Sequence, residues 1–358
     1  MMEHRARTAI DLFCGAGGVT TGLKLAGYEV VAAVESDDAA AASYSANHSD
    51  VTLKRDDIRA VDPDELREEL GIKRGELDLL TACPPCQGFS TLGKGDQDDE
   101  RNNLILTIWD FVKTFRPRAV ILENVPGLAR DSRLEDLLRK LRAVGYGANH
   151  WIVDAADFGV PQRRKRLIVI AALGRKKFQF PVRLEDELPA DYTTTRTPAS
   201  VFAVLPAAKQ SSGDPLHVER RHSDSVKRRI ETIPVGGNRF DLPEEHQLEC
   251  HRRLKSRNAT GPYGRIKLHQ PAPTMTTRCT TASCGAFVHP TEHRSITLRE
   301  AALLQSFPPK YEFRGKYDEI ERQIGNALPA ELGHGLGLVV SNLLVDQPSD
   351  SARGSSKA

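Results

Sequence analysis

The sequence CPPCQGFS, residues 83–90, constrains the fold more than any other stretch, because it follows directly on an apolar run, residues 77–82. A short apolar run bounded in this way predicts a buried parallel strand, and open α/β sheets place their functional residues just beyond the carboxyl ends of such strands. Pro84 and Pro85 fix the backbone and remove two amide donors, which makes the segment a stiff arm rather than a helix start. Cys86 is therefore the candidate nucleophile.

The first part of the chain contains strand ends typical of a nucleoside site. A strand over residues 8–13 runs into a glycine-rich turn, where Gly15 lets the backbone approach a ligand closely before a helix begins. A second strand ends in Glu35, 20 residues after Gly15, which is the spacing at which an acid reaches ribose hydroxyls. Beyond a third unit, Asp57 is placed to accept a hydrogen bond from an exocyclic amine, and Ile58 to cover a ring. We therefore expect a nucleoside cofactor.

A carboxylate follows the next predicted strand. After the arm, residues 90–103 are polar, contain four acids and have no apolar period, which predicts a mobile loop or lid. A helix over residues 104–115 and a strand over residues 118–122 then lead to Glu123. An acid at a strand end is often only a helix cap, but its place beside the strand that carries Cys86 favours acid–base chemistry.

A basic run, residues 160–166, lies between the last two predicted strands, near residues 150–153 and 167–172. Basic runs are usually solvated, but this one enters an apolar strand directly. Arg164 and Arg166 are therefore expected to point at an anionic or carbonyl-bearing group. These elements complete a predicted α/β fold, a doubly wound and mostly parallel sheet.

The region over residues 176–293 differs in composition, with more proline, threonine and arginine and weaker apolar periodicity. It predicts a smaller domain, mainly of strands and loops. From Lys209 to Glu300 there are 16 Lys and Arg against 10 Asp and Glu, a net +6 that leaves −4 for the rest of the chain. This asymmetry indicates a segment that meets a polyanion, although a solvated basic surface would have the same charge.

The remaining residues predict two helices, over residues 297–305 and 324–344, followed by a serine-rich, disordered tail. The chain lacks a run of about 18 apolar residues, and its first residues lack the apolar region of a signal peptide. We therefore expect a cytoplasmic protein. Its six cysteines are too few for a disulfide scaffold, so reduced thiols are expected.

Six short motifs in this order resemble the signature of DNA (cytosine-5) methyltransferases of the prokaryotic modification type. They are DLFCGAGG (11–18), PPCQ (84–87), ENV (123–125), the pattern Q-x-R-x-R (162–166), RE with LQSFP (299–308), and GN (325–326). The resemblance covers residues 8–172 and 294–345, and it implies the S-adenosylmethionine-dependent methyltransferase fold. The segment between them resembles the family's target-recognition domain in position and basic character.

The resemblance implies S-adenosylmethionine as the cofactor. Phe13 would stack on the adenine, Glu35 would bind the ribose and Asp57 the adenine amino group. The other implied cofactor residues are Gly15, Gly17, Ile58, Pro85 and Asn326. A nicotinamide cofactor becomes the weaker alternative.

The resemblance also implies the chemistry. Cys86 would add to carbon 6 of cytosine, which makes carbon 5 nucleophilic enough to take the methyl group. Glu123 would donate a proton or hydrogen bond to N3, Arg166 would hold O2, and Arg164 is counted in the same catalytic set. The target base must leave the helical stack to be reached, and residues 90–103 would form the lid.

The implied domains are a catalytic and cofactor-binding domain (1–175), a target-recognition domain (176–293), a return to the catalytic domain (294–346) and a tail (347–358). The candidate DNA-recognition residues are Arg257, Arg265, Thr274, Met275 and Arg278. The expected partner is double-stranded DNA, bound by a monomer. A restriction endonuclease would act on the same DNA site without contacting this chain.

Three alternatives remain open. A zinc site would use Cys83, Cys86, Cys279 and Cys284, although the second pair is spaced by four residues and lies in the other predicted domain. A redox pair at residues 83–86 would need to open a helix, whereas a polar loop follows. An RNA cytosine-5 methyltransferase of the same fold usually has a Cys-Phe-Thr tripeptide in its variable region and a threonine in place of Ser90, and neither is present.

Overall fold

A computed structural model of the chain describes residues 5–85, 103–174, 184–192, 196–208, 213–252 and 261–345. Within these ranges, one sheet contains the strands β1 (Arg7–Leu12), β2 (Tyr28–Val34), β3 (Thr52–Lys54), β4 (Leu79–Ala82), β5 (Ala119–Asn124), β6 (Tyr146–Asp154) and β7 (Lys165–Leu173). Their order is β3-β2-β1-β4-β5-β7-β6. The pairs among β1 to β5 are parallel, and β7 is antiparallel to both β5 and β6. The predicted doubly wound, mostly parallel sheet is confirmed.

The helices of the described residues are numbered in chain order. They are α1 (Gly18–Leu25), α2 (Asp38–Asn47), α3 (Pro63–Glu69), α4 (Leu104–Phe115), α5 (Ser132–Ala143), α6 (Pro198–Phe202), α7 (Asp224–Thr232), α8 (Glu249–Arg252), α9 (Leu298–Leu304), α10 (Tyr317–Asn326) and α11 (Ala330–Val345). Local chemistry explains several helix ends. Asp62 caps α3 by accepting from two backbone amides, with proline at its first position, and Thr297 and Glu300 form a capping box on α9.

The sheet separates two apolar cores. Helices α3, α4 and α5 cover one face, where the leucines of α5 pack against alternate residues of the central strands. Helices α1 and α11 cover the other face. Every residue of β4 and β5 is buried, as expected for central strands with helices on both sides. This packing holds the carboxyl ends of β1, β2, β4 and β5 rigidly at one edge.

Three predicted boundaries differ from the structure. The helix predicted over residues 324–344 is two helices, because α10 ends at Asn326 and α11 begins after Pro329, whose ring has no amide to continue α10. Strands β6 and β7 are both longer than predicted, since they form a continuous antiparallel pair from Tyr146 to Leu173. Pairing between strands, which a local pattern does not contain, extends both of them.

The stretch Tyr317–Val345, within the described part of the chain, is long and apolar enough to cross a membrane. However, 67% of its most apolar window is buried inside the fold. It comprises α10 and α11, whose apolar residues pack on α1 and on the sheet. Its composition is therefore that of core helices.

The described residues of the smaller region, 184–293, form short helices and loops joined by isolated bridges, such as Arg265 with Val288. Extended strands were expected here and are not found in the described residues. Glycines and prolines interrupt the segments that would pair, and a proline cannot donate to a ladder. A separate apolar cluster of Ile230, Tyr263 and Val288 with their neighbours holds the region together.

Candidate active site

A cavity of about 710 Å³ lies at the carboxyl ends of β1, β2, β4 and β5. It is lined by most of the residues that the sequence singles out: Phe13, Gly15, Glu35, Asp57, Ile58, Pro85, Glu123, Arg164, Arg166, Thr274, Met275 and Asn326. Its size is within the range of small-molecule sites. Residues more than 300 positions apart thus meet in one cavity, as expected where β1 and the last helices converge.

The turn after β1 has an unusual backbone. Phe13 has a φ of 59°, in the left-handed region that a bulky side chain rarely adopts, and such a residue costs on the order of 1–3 kcal/mol. Gly15 follows in the same region, and its amide donates to Glu35 Oε2 at 2.8 Å. The strained backbone places the Phe13 ring on the cavity wall.

Gly17 is the one predicted cofactor residue that does not line the cavity. Its φ is 95°, and a Cβ built on it would lie 2.6 Å from the Tyr311 hydroxyl and 2.7 Å from His48 Nε2. Gly17 therefore faces Tyr311 and His48 behind the turn, away from the space that a ligand would occupy.

Glu35 is held in place by the backbone. Its Oε1 accepts from the Asp37 amide at 2.7 Å and its Oε2 from the Gly15 amide. Burial raises the pKa of its carboxyl, and these amide bonds oppose the rise. A carboxylate oxygen has two acceptor sites, so each oxygen can accept one further bond. The arrangement suits a pair of neighbouring ribose hydroxyls.

Asp57 is placed at the cavity but is already paired. Its Oδ1 accepts from Nε of Arg59 at 2.9 Å and its Oδ2 from Nη2 at 2.6 Å. The Arg59 guanidinium lowers the pKa of Asp57 to about 2. An exocyclic amine would therefore have to share or displace Arg59, which is exposed and can move.

Glu123 and Arg166 form an ion pair on the opposite side of the cavity. Arg166 Nε lies 2.7 Å from Glu123 Oε1, and both side chains are nearly buried. The pair joins β5 to β7, whose antiparallel register places Glu123 opposite Ile168. As predicted, Glu123 lies at the end of the strand next to β4, and Arg166 points at an anion.

Cys83, the first cysteine of the arm, is partly buried and lines the cavity. Burial, with Glu123 nearby, raises the pKa of its thiol well above the ordinary value. Cys83 therefore stays protonated at neutral pH and is a poor nucleophile. Cys86 lies outside the described residues, as does the predicted lid except for Asn103. Pro85, which precedes Cys86 in sequence, lines the cavity.

Asn124, directly after Glu123, anchors the arm. Its Nδ2 donates to the Pro84 carbonyl at 3.1 Å, and its Oδ1 accepts from the Val125 amide at 2.8 Å. The side chain is buried. The residue after the candidate acid thus holds the segment that carries the candidate nucleophile, which ties the two together.

Arg164 binds two carbonyl groups of the protein itself. Its two terminal nitrogens donate to the carbonyls of Met275 at 2.8 Å and Gly325 at 3.0 Å, and the residue is 2% exposed. It thus points at carbonyl groups, as expected, and it also lines the cavity. Arg164 joins the segment around Met275 to the end of α10, and its place in the catalytic set stays a prediction.

Two glutamines at the same junction were not predicted. Gln162 Nε2 donates to Gln305 Oε1 at 2.8 Å, and Gln162 Oε1 accepts from the Met275 amide at 2.8 Å. Gln305 in turn donates to the Ile324 carbonyl at 2.6 Å. Both glutamines are fully buried. The alternation of Gln162, Arg164 and Arg166 in a strand-like run was the available signal.

The candidate DNA-recognition residues divide into two groups. Arg265 is 4% exposed and donates to the carbonyls of four residues, and Met275 is fully buried, so neither is placed to contact DNA, and both assignments are corrected. Arg278 is exposed, and Thr274 lines the cavity mouth while donating to the Arg163 carbonyl. Arg257 lies outside the described residues.

A buried carboxylate beneath the glycine turn was also missed. Asp11 is fully buried in β1 and accepts from Thr20 Oγ1 at 2.7 Å and from Thr81 Oγ1 at 3.0 Å. Burial raises its pKa to about 7, although the two hydroxyl bonds oppose the rise. Asp11 thereby joins β1, α1 and β4 under the cavity.

Among the described residues, no group of three or more His, Cys, Asp or Glu side chains is arranged to hold a metal ion. Cys279 is buried against α10, whereas Cys284 is exposed. The four-cysteine alternative also needs Cys86, which lies outside the described residues, so it stays untested.

Comparison with known proteins identifies the family. Residues 7–340 match the model of C-5 cytosine-specific DNA methylases. The chain is 33% identical over 342 residues to Type II methylase M.HgiDII of Herpetosiphon aurantiacus, an alignment covering 94% of this chain and 95% of the relative. It is 30% identical over 418 residues to Type II methyltransferase M.AgeI of Thalassovita gelatinovora, covering 91% and 97%.

Two solved structures share the fold. One is a candidate DNA modification methyltransferase encoded within an E. coli prophage, with a TM-score of 0.73, 22% identity, and coverage of 95% of this chain and 100% of the other. The second is the Dnmt2 methyltransferase of S. pombe, with a TM-score of 0.60, 20% identity, and coverage of 95% and 99%. At these identities the likeness concerns the fold alone.

Proposed function

Since the chain belongs to the family of C-5 cytosine-specific DNA methylases and is a DNA (cytosine-5) methyltransferase, we propose that its methyl donor is S-adenosylmethionine and that the cavity holds this donor beside a flipped-out cytosine. The observation that carries the proposal is the division of the cavity. The glycine turn and Glu35 form one side, and the pair of Glu123 with Arg166 forms the other.

The first side fits the nucleoside end of the donor. Glu35 is fixed by two backbone amides with acceptor capacity left for ribose hydroxyls, and Phe13 and Ile58 supply apolar surface for an adenine ring. Gly15 leaves space within 4 Å of its Cβ position, and Asn326 lines the wall from the far end of α10. When bound here, S-adenosylmethionine supplies an electrophilic methyl group.

The second side fits the base. The Cys86 thiolate forms a bond to carbon 6, and the electrons displaced from the ring reach N3, where Glu123, in its protonated form, donates a proton. Arg166 keeps Glu123 in place and offers its guanidinium to O2. After methylation of carbon 5, a base takes the carbon 5 proton, the freed electrons re-form the double bond between carbons 5 and 6 and expel Cys86 as the thiolate, and the N3 proton returns to Glu123.

The recognition assignment rests on charge and on position. We propose that residues 176–293 contact the DNA target, while residues 1–175 and 294–346 form the catalytic domain. Arg164 and Gln162 connect the two, because Arg164 binds the carbonyls of Met275 and Gly325 and Gln162 binds the Met275 amide and Gln305. DNA that is bound by the recognition segment is thereby held at a fixed position relative to the cofactor side of the cavity.

DNA rather than RNA is the favoured substrate, since the matching family model is that of DNA methylases and the relatives are named Type II methylases or methyltransferases. We propose that the protein acts as a monomer in the cytoplasm, on double-stranded DNA. It would protect the site that a cognate restriction endonuclease cuts, without direct contact between the two enzymes.

The test uses 5-fluorocytosine in a duplex that carries the enzyme's target site, identified by methylome sequencing of a host expressing the protein. Fluorine cannot leave as a cation, so elimination is blocked after methyl transfer. In the presence of S-adenosylmethionine we expect a denaturation-resistant protein–DNA adduct whose linked peptide contains Cys86.

Three variants sharpen the test. Cys86→Ala should form no adduct yet still bind DNA, because phosphate contacts dominate the affinity. Cys83→Ala should still form the adduct, and Glu123→Ala should form it slowly, since the charge at N3 loses its proton donor. An adduct that maps to Cys83, or methylation by Cys86→Ala, would overturn the proposed mechanism.

A further inference from the structure

The glycine turn is held from behind by two hydroxyl groups. The Tyr311 hydroxyl donates to the Ala16 carbonyl, and Thr21 Oγ1 donates to the Gly17 carbonyl at 2.8 Å. Both hydroxyls also lie near one ring nitrogen, because His48 Nε2 is 3.0 Å from the Tyr311 oxygen and 3.4 Å from Thr21 Oγ1. Two consecutive carbonyls of the turn therefore connect to a single imidazole.

The number of protons that the two hydroxyls can donate determines which ring nitrogen of His48 carries a hydrogen. Each hydroxyl has one proton and gives it to a carbonyl of the turn, so the Tyr311 oxygen, the nearer of the two at 3.0 Å, is left to accept from His48 Nε2. His48 must then carry its proton on Nε2. Its Nδ1 is buried and has no hydrogen-bond partner among the described residues, as expected for the bare nitrogen of a neutral ring. Burial lowers the pKa of His48 to about 4, which agrees with a neutral ring at physiological pH.

The same groups leave no room behind the turn. The Cβ position of Gly17 lies 2.6 Å from the Tyr311 hydroxyl and 2.7 Å from His48 Nε2. Tyr311 is 4% exposed and packs against Phe307, with ring centroids 4.7 Å apart. Its hydroxyl is therefore fixed by the packing of its own ring.

We propose that Tyr311, supported by His48, is a positioning residue for the cofactor. Glycines populate both signs of φ, so the peptides of an unanchored turn could rotate and present carbonyls to the cavity. By tying the Ala16 and Gly17 carbonyls to the rear, Tyr311 and Thr21 hold the turn in the conformation that places Phe13 and Gly15 at the cavity wall.

This role rests on the proposed cofactor site. It extends that site to the segment between α9 and α10, which contains Tyr311. The return segment would thus shape the cofactor site from behind as well as line it through Asn326. A protein that must order the turn before it binds has a lower apparent affinity, in proportion to the fraction of molecules with the turn in place.

The principal test is Tyr311→Phe, which removes the hydroxyl and keeps the ring. Loss of one hydrogen bond of ordinary strength corresponds to a Kd for S-adenosylmethionine that is about three- to tenfold higher by calorimetry. The KM for the cofactor should rise by a similar factor, while kcat at saturating cofactor and the Kd for DNA stay at wild-type values.

Tyr146→Phe is the matched control. Tyr146 is a buried tyrosine whose hydroxyl donates to the Pro117 carbonyl at 2.6 Å, and it does not line the cavity. Both variants lose a bond from a tyrosine hydroxyl to a backbone carbonyl, and Tyr311→Phe also loses the bond from His48, so it should lower the melting temperature at least as much as Tyr146→Phe does. Only Tyr311→Phe should weaken cofactor binding. Equal cofactor affinities in the two variants would overturn the proposal.

His48 provides an independent measurement. His48→Gln can place an amide N–H near the position of Nε2 and should keep cofactor affinity near wild type, whereas His48→Leu removes the donor and should resemble Tyr311→Phe. Nitrogen NMR of the wild type should show the proton on Nε2 across neutral pH. A proton on Nδ1 would refute the arrangement. If the wild-type protein itself fails to bind S-adenosylmethionine, the proposed cofactor fails instead.

Discussion

Replacing Asp11 by asparagine should change how the stability of the protein depends on pH. Asp11 is fully buried, and burial raises its pKa from 3.8 to about 7. Asparagine can keep both hydrogen bonds. Its carbonyl can accept from Thr20, and its amide can donate to Thr81 Oγ1, whose own proton can go to the Ile10 carbonyl at 3.2 Å. The substitution therefore removes the titrating group with little loss of contact.

The direction in which stability changes with pH follows from the number of protons bound to Asp11 in the folded and unfolded states. Between pH 3.8 and about 7 the folded protein keeps the Asp11 proton while the unfolded chain has lost it. The stability that the protonated group contributes is complete below pH 3.8, is lost as pH rises through this window, and changes no further above it. At 1.36 kcal/mol per pKa unit, the loss between pH 4.5 and pH 7.5 is on the order of 3 kcal/mol.

The assay is denaturant unfolding of the wild type and Asp11→Asn over that pH range, since the difference between them cancels the other titrating groups. The free energy of unfolding of the variant, relative to that of the wild type, should rise by about 3 kcal/mol from pH 4.5 to pH 7.5. Asp57→Asn is the control, because Arg59 lowers the pKa of Asp57 to about 2 and its contribution is lost only as pH falls below 3.8. A difference for Asp11→Asn that does not vary with pH would refute the reasoning.

Three further predictions concern the cofactor, the DNA and the stability of the recognition segment. Glu35→Ala removes the acceptor of ribose hydroxyls, so cofactor binding should weaken by about 1–3 kcal/mol with unchanged DNA affinity, and wild-type affinity by calorimetry would place the nucleoside elsewhere. Arg278→Ala should weaken DNA binding for all sequences and lower its salt dependence by about 0.9 without a change in melting temperature. Arg265→Ala should instead lower the melting temperature, because four residues lose the donor to their carbonyls. The reverse pattern would contradict the burial of Arg265 and the exposure of Arg278.

The parts of the fold that depend on short-range pattern could be predicted from the sequence. The runs that became β4 and β5 are almost continuously apolar because both faces of these strands are buried, and this distinguishes them from surface strands. In a doubly wound sheet their carboxyl ends share one edge. Glu35 and Glu123 could therefore be placed at the cavity before any distance was known.

The buried partners could not be predicted, since they join segments distant in the sequence. Tyr311 lies 263 residues from His48 and 295 from Ala16, and nothing near it in the sequence indicates these contacts. The sequence also does not show which charged residues of a basic segment are exposed. Arg265 and Arg278 belong to one basic segment, and only the packing shows that the first is enclosed by carbonyls while the second is exposed.

The run from Gln162 to Arg166 shows where prediction by periodicity ends. A strand-like alternation places Gln162, Arg164 and Arg166 on one side, and all three do turn inward. The alternation cannot distinguish their partners, because these depend on the depth at which each residue meets the rest of the fold. Arg166, within β7, reaches Glu123 across the strand pair, whereas Arg164, just before β7, meets the Met275 and Gly325 carbonyls. One arginine therefore pairs with the candidate acid and the other joins two segments, although the residue type is the same.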